Sequence, residues 1–149
     1  MRLAEVLDDC AVKSVTVAPQ LSLAEAARSM HTVGAAAVLV MDNDLLQGIL
    51  TAGDILRGLT SARKADLVWN GPVGTVIVKE LPIVTMEEKI AQTIEIMTAA
   101  GIHYLPVIAE GAIRVVSLCR LLQVQNALLH GEVQHLQNYI DALHDAPND

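Results

Sequence analysis

Leu23–Val40 reads LAEAARSMHTVGAAAVLV, and Ile90–Val107 reads IAQTIEIMTAAGIHYLPV. Laid one on the other, Met30 falls on Met97, Gly34 on Gly101, Ala24 on Ala91 and Val40 on Val107. Further on the alignment slips by one residue, as a deletion in a turn would make it. Gly48-Ile-Leu-Thr51-Ala-Gly-Asp54 then falls on Arg114-Val-Val-Ser117-Leu-Cys-Arg120. Identity is modest, but the hydrophobic periods coincide as well. An internal repeat of this length means one supersecondary unit used twice.

Both copies share one grammar. A short β-branched strand comes first: Ser14–Val17 in the first copy, and either Val76–Val78 or Ile83–Thr85 in the second. An amphipathic helix follows. Ser22-Leu-Ala-Glu25 reads as a capping box, and Leu23, Ala26, Ala27, Met30 and Val33 recur at helical spacing. Gly34 supplies a left-handed stop. Ile90, Ile94 and Met97 repeat the pattern up to Gly101, although Thr85-Met-Glu-Glu88 places a second capping box earlier than the alignment requires. Two strands then form a hairpin: Ala36–Met41 with Leu45–Leu50 around Asp42-Asn-Asp44, and Tyr104–Ala109 with Ala112–Val116 around Glu110-Gly111. A last helix starts at Thr51 or Ser117. The fold class is α/β (α+β): two β-α-β-β-α repeats packed about a pseudo-two-fold axis, plus a C-terminal helix. The divisions are residues 3–60 for the first repeat, 61–72 for a connector, 73–125 for the second repeat, 126–145 for an amphipathic helix and 146–149 for a frayed tail.

Composition limits the function. The chain has 149 residues, enough to bury roughly 68–70% of its unfolded surface without disulfides or metal. Hydrophobic residues are 52% and aromatics 2%, with no Phe, so the core is aliphatic. The formal charge is −7. Acidity and missing aromatics both argue against nucleic-acid binding. Cys10 and Cys119 form no C-x-x-C motif, which fits free thiols in a reducing cytoplasm. The N-terminus has no secretory h-region, and no apolar run is long enough to span a membrane. The five histidines show no metal-ligand spacing. A nucleophile elbow, a P-loop and a dinucleotide fingerprint are all missing, so the expectation is a protein that is not an enzyme.

Gly48-Ile49-Leu50-Thr51-Ala52-Gly53-Asp54 carries the chemistry. Two readings fit it. Thr51 and Asp54 form a helix N-cap with an acidic residue at N3, which satisfies orphan N–H groups. The same helix start, with its hydroxyl, is also an anion site. This motif, with Thr16-Val-Ala-Pro19 and Gly101-Ile-His-Tyr-Leu-Pro106, resembles a tandem pair of cystathionine-β-synthase (CBS) domains, or Bateman module, over about residues 3–125. The resemblance implies a regulatory module binding an adenosine-containing ligand such as AMP, ADP, ATP or an S-adenosylmethionine-type molecule, with no cofactor required. It implies that Thr51 contacts phosphate, Asp54 contacts ribose, and Gly48 lets the ligand approach the backbone. It further implies a base pocket from Val15, Thr16 and Val38, with His103 and Tyr104 nearby. Arg57, Arg114, Ser117 and Arg120 are candidate phosphate contacts. The second copy departs from the pattern: Arg114 replaces the Gly, and Arg120, which has no acceptor, replaces the Asp. That departure motivates the alternative of a structural or oligomerisation scaffold that has lost its ligand.

The tail adds a heptad seam. Leu122, Leu129, Val133, Leu136, Ile140 and Leu143 occupy a and d positions, with Asn126 as a polar a residue and Gly131 at f. The seam serves a homodimer or a protein effector, or packs on the chain's own core. Alternatively, His130-Gly131 ends one helix and a second begins. The tail's polar residues exclude insertion into a membrane.

Overall fold

The turns come first in the local logic. Gly34 and Gly101 end their helices in the left-handed region, at φ 71° and 66°. The hairpin turns also need positive φ, at Asn43 (55°) in the first and at Glu110 (51°) and Gly111 (79°) in the second. The computed structural model describes residues 1–145, so the expected frayed end, Ala146–Asp149, lies outside the described residues.

The elements are α1 (Leu3–Cys10), β1 (Ala11–Val12), β2 (Ser14–Val17), α2 (Leu23–Val33), β3 (Ala37–Asp42), β4 (Leu45–Leu50), α3 (Ala52–Ser61) and α4 (Ala65–Trp69). A 3-10 turn (Val73–Thr75), β5 (Val84–Thr85), α5 (Ile90–Ala100), β6 (Tyr104–Ala109), β7 (Ala112–Ser117) and α6 (Leu118–His144) complete them. One sheet has the order β2-β3-β4 and the other β1-β7-β6-β5. In each, the first strand of the repeat runs parallel to the hairpin: β2 against β3, and β5 against β6.

The segment that precedes each repeat packs on the other repeat. β1 joins the edge of β7, pairing Ala11 with Val116 and Val12 with Val115. Val78 bridges Ile49 on the edge of β4, through N–H···O bonds of 3.0 and 3.2 Å. The helices follow. Leu3, Val6, Leu7 and Cys10 of α1 are buried in the second repeat's core with Ile94, Met97, Leu105 and Leu121. Val68, Trp69 and Val73 pack in the first repeat's core with Leu23, Met30 and Leu50. The correspondence extends to backbone bonds. Ile90 N–H donates to Met1 C=O and Leu3 N–H to Glu88 C=O; Leu23 N–H donates to Gly71 C=O and Val73 N–H to Leu21 C=O. Residues 61–72, read as a connector, thus contain a helix that belongs to the first core. A third cluster, Ala37, Leu39, Ile49 and Val115 with Val78 and Tyr104, joins the two repeats.

Three local readings change. Thr85-Met-Glu-Glu88 does not cap α5; it is a turn, closed by Glu88 N–H to Thr85 C=O, and Lys89 is the uncapped N-cap. Ser22 caps α2 by accepting from Glu25 N–H at 3.2 Å, without the return bond of a full box. α6 continues unbroken through Gly131, because one glycine costs only about 1 kcal/mol against alanine in a long helix. Its first turns pack on the core through Leu118, Leu121 and Val124, while the a/d seam beyond them faces outward.

Candidate functional site

Thr51 lies between the end of β4 and the start of α3, with extended backbone at φ −119°. Its Oγ accepts from Asp54 N–H at 3.4 Å and donates to Asp54 Oδ2 at 2.9 Å. Asp54 Oδ2 also accepts from Thr51 N–H at 2.8 Å, and Asp54 Oδ1 accepts from the Arg57 guanidinium. This is a full capping box, and it holds a carboxylate that is only 7% exposed. Arg57 is mostly in solvent, so the ion pair is open on one side. The first-turn N–H groups of Ala52 and Gly53 have no acceptor within the helix.

This helix start opens on a cleft of about 650 Å³ between the two repeats. Thr51, Asp54 and Arg57 lie on one wall, and His103, Tyr104 and Ser117 on the other. Met30, Ile49, Val78, Leu81 and Ile102 give apolar lining. The crossing segment Val78–Leu81 therefore closes one side of the cleft. Sequence reasoning missed Ala36 and Ile102 as cleft residues, yet their signal was present: each lies in the short link between a helix-stopping glycine and the strand that follows it.

Other candidates lie elsewhere. Val38 is fully buried in the first core and does not reach the cleft. Val15 and Thr16 line a separate depression of about 530 Å³ with Arg28 and Thr32. Gly48 is not in the cleft lining. A Cβ there would lie 2.6 Å from the Val78 carbonyl oxygen and 2.8 Å from Ile77 Cδ1, so the close approach it permits is that of the crossing segment. Arg114 pairs with Asp8 of α1 at 2.8 Å. Arg120 donates to the Ala11 carbonyl at 2.5 Å, while its own N–H is capped by Ser117 Oγ at 3.4 Å. Both arginines therefore hold the N-terminal crossing segment and do not line the cleft. Beside them, burial and the charge of Asp9 push the Cys10 thiol up, against the opposing pull of Arg120.

Among the described residues, no cluster of metal-ligating side chains forms, and no helix is long and apolar enough to cross a membrane. In its chemistry, the cleft offers one carboxylate, one exposed guanidinium, an imidazole, a phenol, two hydroxyls and free helix N–H groups between aliphatic walls. That set can hydrogen-bond a polyol and an anion together while covering a flat apolar group.

Known proteins share the fold. The CBS domain description matches residues 6–61 and 73–126, well over half the chain. An uncharacterised 17.7 kDa protein of Acidianus ambivalens is 31% identical over 98 residues, which is 64% of this chain and 56% of that protein. The match thus spans little more than half the length of this relative. A CBS-domain protein of Agrobacterium tumefaciens superposes with TM-score 0.72 at 24% identity, covering 84% of this chain and 99% of that one. A CBS domain pair solved with 5′-methylthioadenosine and S-adenosyl-L-methionine gives 0.66 at 18%, covering 80% and 97%. With both repeats matched and the fold shared, the chain belongs to the CBS-domain family as a tandem pair with a C-terminal helix.

Proposed function

We propose that the chain is a non-catalytic regulatory module that binds an adenosine-containing ligand in the cleft between its repeats. AMP, ADP, ATP and S-adenosylmethionine-type molecules are the ligand class. The observation that carries this reading is the convergence of Thr51, Asp54 and Arg57 from one repeat with His103 and Tyr104 from the other on one cleft. Its volume of about 650 Å³ lies within the roughly 300–1,000 Å³ of small-molecule sites. The adenosine compounds held by the CBS pair described above support the ligand class.

The chemistry follows from the ion pair. Ribose hydroxyls need an acceptor, and Asp54 Oδ1 becomes one when Arg57 lets go. Arg57, exposed and on a flexible stem, then turns to a phosphate or carboxylate of the ligand. The α3 N–H groups of Ala52 and Gly53 take the anion from the other side. Because the walls belong to different repeats, a ligand that fits one relative position better shifts the pair toward it, by no more than its differential affinity. A partner protein or a second copy reads that shift.

Calorimetric titration of AMP, ADP, ATP and S-adenosylmethionine into the protein and into Asp54→Ala tests the reading. Binding to the wild type that is lost in Asp54→Ala is expected. Equal binding to both removes the assigned site. One observation favours the scaffold alternative: both Asp54 oxygens are already engaged within α3. No heat and no thermal stabilisation with any of the four compounds decides for it.

A further inference from the structure

The outer half of α6 carries a face that its own chain does not cover. Leu122, Leu129, Val133, Leu136, Ile140 and Leu143 are between 44% and 66% exposed. The residues that hold α6 to the body are in its first two turns: Leu118, before the seam begins, and Leu121 and Val124 at c and f, off the seam. The exposed face has a defined order. Leucine occupies every d position (Leu122, Leu129, Leu136 and Leu143), and the a positions are Asn126, Val133 and Ile140.

We propose that this face is the seam of a parallel, two-stranded coiled coil with a second copy of the same chain. β-branched residues at a with leucine at d favour two parallel strands. Asn126 selects the direction. It sits near one end of the seam, so in a parallel pair it meets the Asn126 of the second copy, and the two amides hydrogen-bond to each other. In an antiparallel pair it would face the Ile140–Leu143 end, with its amide buried against leucine and isoleucine. The flanking residues set no like charges against each other. In a parallel pair each g residue faces the following e residue of the second copy: Gln125 faces His130, Glu132 faces Gln137, and Tyr139 faces His144. Glu132 is the only acid beside the seam, and it meets an amide. Among the described residues, the other tail acids, Asp141 and Asp145, lie at b and f, away from the contact. This geometry puts the two bodies at the same end of the coil.

The test uses the full chain. Sedimentation at micromolar concentration is expected to give twice the mass of one chain. Leu136→Cys in a Cys119→Ser background is expected to cross-link to itself under mild oxidation, since like d positions are neighbours in a parallel pair; Cys10 is buried and does not compete. Adding Leu129→Glu and Val133→Glu should abolish the cross-link and halve the mass while the thermal melt of the body persists. A wild type of single-chain mass overturns the proposal. So does a pair joined by Leu129→Cys with Ile140→Cys but not by Leu136→Cys, which is the antiparallel result. The cross-link needs no charged substitution, so the proposal stays testable even if the double Glu variant fails to fold.

Discussion

Replacing Gly48 by alanine separates two explanations of one residue. If Gly48 exists to admit a ligand, Gly48→Ala leaves the ligand-free protein as stable as before. The structure gives it a different task. The added Cβ would sit 2.6 Å from the Val78 carbonyl oxygen and 2.8 Å from Ile77 Cδ1, against 3.4–4 Å for ordinary contact. Ile77 can rotate away, but the carbonyl is backbone, and it accepts the 3.2 Å bond from Ile49 N–H. Moving it by the better part of an ångström costs that bond and its 3.0 Å partner, about 1 kcal/mol net each. Repacking of Val78 between the repeats adds about 1 kcal/mol. Alanine recovers roughly 0.5–1 kcal/mol because it is less flexible than glycine in a strand. The net loss is about 2 kcal/mol. For a chain of this size that lowers Tm by roughly 4–8 °C. Differential scanning calorimetry without ligand measures it. A Tm equal to or above that of the wild type would refute the argument, and with it the assignment of Gly48 to the crossing of Val78.

Four further outcomes follow. Gly53→Ala has open space around its Cβ, with nothing nearer than Arg57 Nη1 at 3.6 Å, so it should hold or raise Tm while weakening any anion bound at the α3 start; calorimetry reads both. Leu105→Ala empties a fully buried position in the second core and should cost about 2–5 kcal/mol in urea unfolding. Arg120→Met keeps the stem but loses the charge-assisted bond to Ala11 C=O, worth roughly 1.5–3 kcal/mol, and should speed hydrogen exchange of α1 and β1 before that of α2 and α3. The Cys10 thiol is held above its ordinary value of 9.0, so the folded chain keeps this proton where the unfolded chain has lost it. Stability is therefore full below that pH and falls as pH rises through it, and Cys10→Ala should flatten that alkaline fall in a melting series.

Much of the fold is legible in the residues because its signals are local. Gly34 and Gly101 stop helices through their own φ, Asn43 and Glu110-Gly111 set the hairpins, and Thr51 and Ser117 start helices with their own side chains. The exchange of the leading segments is not local. The buried stripe Leu3, Val6, Leu7, Cys10 reads the same whichever repeat covers it. Val76–Val78 and Ile83–Thr85 compete as strands because both are used: Val78 crosses to Ile49, and Val84–Thr85 pairs with β6. Thr85–Glu88 imitates a cap because sequence does not show that Met1 C=O supplies the acceptor for Ile90 N–H. The same blindness governs the cleft. Thr51, Asp54, His103 and Tyr104 share one repeat-derived pattern and come together, whereas Val38 turns into the first repeat's own core and Gly48 faces the crossing segment.

The asymmetry between the two motifs then has a structural reason. At the first, Asp54 closes a capping box, and the crossing strand nearby is held by backbone bonds against Gly48. At the second, Arg120 replaces the carboxylate and donates to Ala11, while Arg114, in place of the glycine, reaches Asp8. Both substitutions act on the same crossing segment, α1 and β1. The other crossing, at Val78, is held by its backbone bonds to Ile49 and by the close approach that Gly48 permits. Two arginines therefore give the α1–β1 crossing side-chain anchors at the positions where the first repeat has Gly48 and Asp54. The loss of a second acidic residue is thus explained by anchoring, without invoking decay of the whole module. At the first motif the carboxylate of Asp54 stays in the cleft.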